Sequence, residues 1–291
     1  MRSIRDFLHT LRSGHAPPGT SRCAERRRRR IMRSWIRVYG VSGFTLAALL
    51  LLDGLISGAA VQAAPPAHCP GAGVPASGAV VRGGLIVDGV CQLSQATIDG
   101  GVTITTNGHL ILLGSTVNGG VTVNAGGEFD SGTTNGFDFA APSTIHGSVV
   151  DQHGVDLDIH GGTVDGGVTL NGAGAFDHPT ICGATVHGDV TVENMGGSLG
   201  AVVGDVENDA AVGVCHANQI DGTVRVLNSP NLRIEVEANR IRGAVLIDNS
   251  TPSLSGNTIT GSVSCTGGAQ LHVWDADDTN QNSVTGANTC L

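Results

Sequence analysis

The sequence contains no lysine: all 16 of its basic residues are arginine. That excludes a P-loop lysine, a Schiff-base lysine and a lysine general base. Aromatic residues are almost as scarce, with six Phe, two Trp and one Tyr in 291 residues. A helical or α/β enzyme domain of this length draws its core from Leu, Ala and rings, so this composition argues against both. No GxSxG, HExxH or GxGxxG pattern carries weight, and no CxxC or tight Cys/His set suggests a zinc site. What is abundant instead is glycine, 44 residues of it.

The net charge of −9 averages two unlike pieces. Eleven arginines fall in residues 1–63, among them the run Arg26 to Arg30, against Asp6, Glu25 and Asp53. Downstream, five arginines face 22 carboxylates, a formal charge of −17. The basic part leads into the apolar run Gly43 to Leu52, then small residues ending Val61-Gln62-Ala63. Ten apolar residues suit a signal-peptide core rather than a span of roughly 20, and cleavage is expected after Ala63. Met32 begins a conventional signal, so residues 1–31 are expected to be a mis-assigned start or a disordered leader, and residues 32–63 a Sec-type signal peptide. Residues 64–79 then form an N-terminal cap and 80–291 one repeat domain. The chain is expected to be secreted, to meet a membrane only during export, and to avoid nucleic acid because its exported part is acidic.

The exported part repeats a short unit, (V/I)-x-G-x-(V/L)-x-(V/I/L). Copies include Val81-Arg-Gly-Gly-Leu-Ile-Val87, Ile98-Asp-Gly-Gly-Val-Thr-Ile104, Val117-Asn-Gly-Gly-Val-Thr-Val123 and Val186-His-Gly-Asp-Val-Thr-Val192. Others start at Val164, Ile220 and Ile241, and looser ones at Ile145, Val202, Ile259 and Val284, a mean step of about 20 residues. Apolar residues alternate with polar ones inside each unit, as in a strand with one buried face. Further alternating segments follow, such as His109 to Leu113 and Val155 to Ile159. Two or three short strands per unit, joined by Gly, Asn and Asp turns, predict a single all-β domain: a parallel β-helix, or β-solenoid, of about ten rungs. Small β-branched residues stack well in such a core and rings would swell it, which accounts for the composition. The long step after Val117 is expected to hold a side loop, residues 128–142, lying as a cap over a sheet face or as the lip of a groove.

The repeat resembles that of secreted bacterial proteins built as right-handed parallel β-helices. More loosely it is similar to bactofilins, whose V-x-G-D-(V/I) pattern matches Val186 to Val190 and Val202 to Val206. The first resemblance implies a fold that often acts on acidic polysaccharides; the second implies a polymer-forming scaffold, from which the signal peptide and cysteines depart. Six cysteines remain after the leader, an even number that reads as disulfides in an exported chain. Cys265 and Cys290 occupy the same place in adjacent rungs, and Cys69 and Cys91 lie about one rung apart. Cys182 and Cys215 would be two rungs apart if Val202 starts a rung, so either they are not bonded or residues 196–211 loop out.

Candidate chemistry is sparse. Asp156, Asp158 and His160 share the outer side of one strand, and Arg225 and Arg242 lie within an Arg/Glu-rich pair of rungs; these five are the candidate binding face. Asp275, Asp277 and Asp278 have the oxygen density of a weak calcium site but lack the Gly and Glu of an EF-hand loop. No other cofactor is expected. Outer threonine columns run through Thr97, Thr116, Thr144, Thr163 and Thr185, and through Thr103, Thr122, Thr169 and Thr191. Another outer column holds Asp99, His146, Asp165, His187 and Asp221. The leading expectation is an exported, non-catalytic structural or binding module, with extracellular polysaccharide or a second copy as partner. A polysaccharide lyase or hydrolase is the alternative, and an ice-binding solenoid a second one.

Overall fold

A computed structural model describes residues 64–70, 77–134, 139–172, 178–195, 200–205, 215–274 and 280–290. Among them the structure is all-β: 28 strands of two to five residues and no helix. Each turn of the chain passes through three strands, for example Thr97–Ile98, Val102–Ile104 and His109–Leu113. Each strand pairs in parallel with its equivalents one turn away. The result is a parallel β-solenoid of about nine turns with three sheets. In the order a turn visits them, sheet I has ten strands, sheet II ten and sheet III eight.

The repeat unit encodes this geometry. Its first apolar residue points inward from sheet I, as Ile98, Val117, Ile145 and Val164 do. Its second and third point inward from sheet II, as Val102 and Ile104 do. Stacking at about 4.8 Å puts Val on Val and Ile on Ile, and each buried side chain contributes about 1.5–3 kcal/mol. The glycine between the two strands turns the corner so tightly that backbones nearly touch. A Cβ added to Gly147 would lie 2.5 Å from the Gly120 nitrogen. Only glycine fits there, which is why the unit keeps it.

Three features differ from the sequence reading. First, Val202 starts no turn: its strand, Ala201–Val203, lies in sheet III between Thr180–Cys182 and Ile234–Glu237. The step from Val186 to Ile220 is therefore one long turn. Cys182 and Cys215 consequently sit on adjacent turns, with Cα atoms 4.9 Å apart, and form a disulfide. Cys69–Cys91 and Cys265–Cys290 are the other two. Second, Glu128–Ser131 is not loop but a sheet III strand, and Phe129 is fully buried in the core. Its alternation was masked by the Gly, Asn and Phe residues that follow. Phe139, further along that segment, places its ring 5.0 Å from those of His160 and His216. Third, a buried corner before sheet I carries a polar ladder that the repeat did not show. The Asn239 side-chain oxygen accepts from the Asn218 backbone (3.2 Å) and side chain (2.9 Å), and Asn257 and Asn282 continue the series. Each side-chain NH2 also donates to a carbonyl of the core strands, as Asn239 does to Val203 at 2.7 Å.

Candidate functional site

Sheet I presents its outer side as two parallel columns. The first places Thr97, Thr116, Thr144, Thr163 and Thr185 in consecutive register, all half-buried, before giving way to Gln219 and Arg240. The second lies two residues further along each strand and runs Asp99, Asn118, His146, Asp165, His187, Asp221, Arg242. Its members pair along the solenoid axis. The Asn118 amide donates to Asp99 at 3.1 Å, and His146 Nδ1 lies 2.6 Å from Asp165. His187 Nδ1 lies 2.7 Å from Asp221, which also meets Arg242 at 3.0 Å. The hydrogen bond from His187, helped by the Arg242 charge, holds the Asp221 carboxyl below its ordinary value. These side chains stay largely in water, so the pairs fix geometry more than they stabilise the fold.

Sheet II carries the second threonine column, with Val150 between Thr122 and Thr169. Arg225 continues it and binds Asp189. The Thr223 backbone NH donates to Asp189 at 2.7 Å, and this bond, with Arg225, lowers that carboxyl from its usual range.

Sheet III is different because part of its outer side is buried. Asp156, Asp158 and His160 alternate outward from one strand as expected, yet Asp158 and His160 are each only 4% exposed. Strand register adds a residue that sequence reasoning missed: Asp130 stands directly beside Asp158, and Glu128 beside Asp156. Carboxylate oxygens of Asp130, Asp156 and Asp158 all lie within 4.8 Å of one another. His109, one turn before, places Nε2 2.7 Å from Asp130 and Nδ1 3.3 Å from Glu128. Burial alone would push the His109 imidazole down. The hydrogen bond to Asp130 and the charges of Asp130 and Glu128 outweigh it and raise the ring above its ordinary value. The signal for this cluster was the Glu128-x-Asp130 alternation, recognisable only once that segment is a strand.

The five residues of the expected binding face therefore do not form one surface. Asp156, Asp158 and His160 lie on sheet III, Arg225 on sheet II and Arg242 at the end of sheet I. Asp275, Asp277 and Asp278 lie outside the described residues. No family model, no curated protein and no solved structure matches this chain.

Proposed function

We propose that the chain is an exported, non-catalytic module that binds an extended extracellular polymer, a polysaccharide above all, along the outer side of sheet I. The observation that carries this reading is the pair of columns there. Five threonine hydroxyls stand in register at about 4.8 Å intervals. Beside them runs a line of amide, imidazole and carboxylate groups held in place by one another. Such an array offers donors and acceptors at a fixed repeat to a polymer lying along the solenoid axis. The neighbouring column is charged rather than threonine, which favours a hydrogen-bonding polymer over ice. Export is supported by the Arg-rich, apolar, small-residue order of residues 1–63 and by three disulfides in the chain.

Co-sedimentation with insoluble polysaccharides tests the reading. Retention should fall at least tenfold when Thr116 and Thr144 are both replaced by Lys. Retention unchanged by that pair of substitutions would remove sheet I as the binding face.

One observation favours a second reading: the convergence of Asp130, Asp156 and Asp158, which supplies the paired carboxylates a glycan-cleaving enzyme needs. If the protein depolymerises a uronate polymer and Asp156→Ala abolishes the cleavage, the enzymatic reading replaces the first.

A further inference from the structure

The second inward column of sheet II runs Val87, Ile104, Val123, Asp151, Leu170, Val192 and on to Cys265. Asp151 is its one charged member, stacked between Val123 and Leu170 and 0% exposed. Its environment is not a salt bridge. Oδ1 accepts one hydrogen bond, from the Gly154 backbone NH at 2.7 Å. Oδ2 has no hydrogen-bond partner. The inward residues of the same turn, Ile145, Val149, Leu157 and Ile159, are apolar. The one titratable group facing it from its own corner is the exposed His153, whose positive charge favours the carboxylate.

The corner that follows explains why an acid stands here. In the two preceding turns the corner closes on a backbone bond, Gly108 NH to Thr105 carbonyl and Gly127 NH to Asn124 carbonyl, both 2.8 Å. In this turn the left-handed residue is His153, φ 63°, and the Gly154 NH turns inward instead. The Asp151 side chain satisfies that donor. A Cβ on Gly154 would come within 2.5 Å of Asp151 Oδ1, so the corner and the acid are fitted to each other.

We infer that Asp151 is a pH-dependent latch on the corner 151–155: protonated, it seals the core; ionised, it keeps the Gly154 bond but leaves a poorly solvated charge that loosens this turn, so the fold is firmer in mildly acidic than in neutral surroundings. An ionised carboxylate with one donor, in a wholly apolar column, loses most of its hydration and recovers little of it. Burial accordingly pushes this carboxyl up to about 6, against 3.8 for an ordinary Asp, partly offset by the Gly154 bond and the His153 charge. Because the folded value is raised, the folded state holds a proton that the unfolded chain has already lost. Stability is complete below the ordinary value and falls as pH rises towards the raised one, after which it is level. A gap of about two units corresponds to roughly a hundredfold change in the folding equilibrium constant.

The test is unfolding of the disulfide-bonded full chain between about pH 4 and about pH 7, for the wild type, Asp151→Leu, Asp151→Asn and an exposed control, Asp99→Asn. The wild type and the control should lose up to roughly a hundredfold in folding constant across that range beyond any loss shown by Asp151→Leu. Asp151→Asn keeps an acceptor for Gly154 and should match the flatter profile should the Leu variant not fold. Amide exchange across this turn should accelerate with pH, beyond its intrinsic rate, in the wild type and the control but not in the Asp151 variants. Parallel pH profiles for wild type and either Asp151 variant would overturn the latch.

Discussion

At the scale of single residues, burial decides what the outward groups of this solenoid do. Asp221 and Asp189 face water beside cationic partners and are held in their charged form. On sheet III Asp130 is buried and His109 half-buried, so the two interact through a poorly hydrated space, where the same 2.7 Å contact matters more. His109 should therefore titrate above the ordinary imidazole value, and Asp130→Asn should bring its titration down; proton NMR of the His109 imidazole against pH reads both. The raised value also fixes a sign. His109 contributes stability that is complete below the ordinary imidazole range and fades as pH rises past its raised value, so His109→Gln should cost most in acid.

Between strands, Asn218, Asn239, Asn257 and Asn282 form a continuous polar ladder at a buried corner. Asn239 serves neighbours on both sides and the Val203 carbonyl, so Asn239→Ala strips partners from several buried groups at once. It should cost about 3 kcal/mol in denaturant unfolding, whereas the same change at exposed Asn118 should cost under about 1 kcal/mol. The ladder was written in the sequence as Asn two residues before the first apolar position: Asn218-Gln-Ile220, Asn239-Arg-Ile241, Asn257-Thr-Ile259 and Asn282-Ser-Val284. It escaped notice because polar residues before a strand also read as ordinary turn formers. The strand period, the inward positions and the terminal disulfides were legible, since alternation and stacking follow from local chemistry. The burial of the outward groups on sheet III was not. Alternation says which way Asp156 and Asp158 point but not how deeply they are buried, and that depends on contacts outside the repeat unit, such as the Phe139 ring against His160. Val202 misled for a related reason. A V-x-G-D match fits a sheet III strand followed by its turn as well as it fits a new rung.

As a whole molecule, the described domain is a one-dimensional stack in which each turn touches only its neighbours. Its ends are the weak points, and they carry Cys69–Cys91 and Cys265–Cys290. Each of these bridges joins consecutive turns and keeps a terminal rung from fraying. Reduction should therefore raise amide exchange in the first and last turns before it affects the middle. Loss of Cys182–Cys215, which closes a loop of 33 residues, should instead lower the unfolding temperature of the centre, at a cost of about 3 kcal/mol. Hydrogen exchange followed by peptide mass separates the two patterns.

The column Asp99, Asn118, His146, Asp165, His187, Asp221, Arg242 has one more consequence, which concerns length. Like charges along it never occupy adjacent turns: Asp165 and Asp221 are two turns apart, roughly 10 Å, and Asp99 and Asp165 three turns, roughly 14 Å. At physiological salt the screening length is about 8 Å, so each carboxylate scarcely feels the next. Self-repulsion along this edge is therefore slight. Duplicating one acidic turn would set two carboxylates side by side, whereas duplicating the pair of turns that carries His146 and Asp165 keeps the alternation, so lengthening by pairs of turns adds no like-charged neighbours.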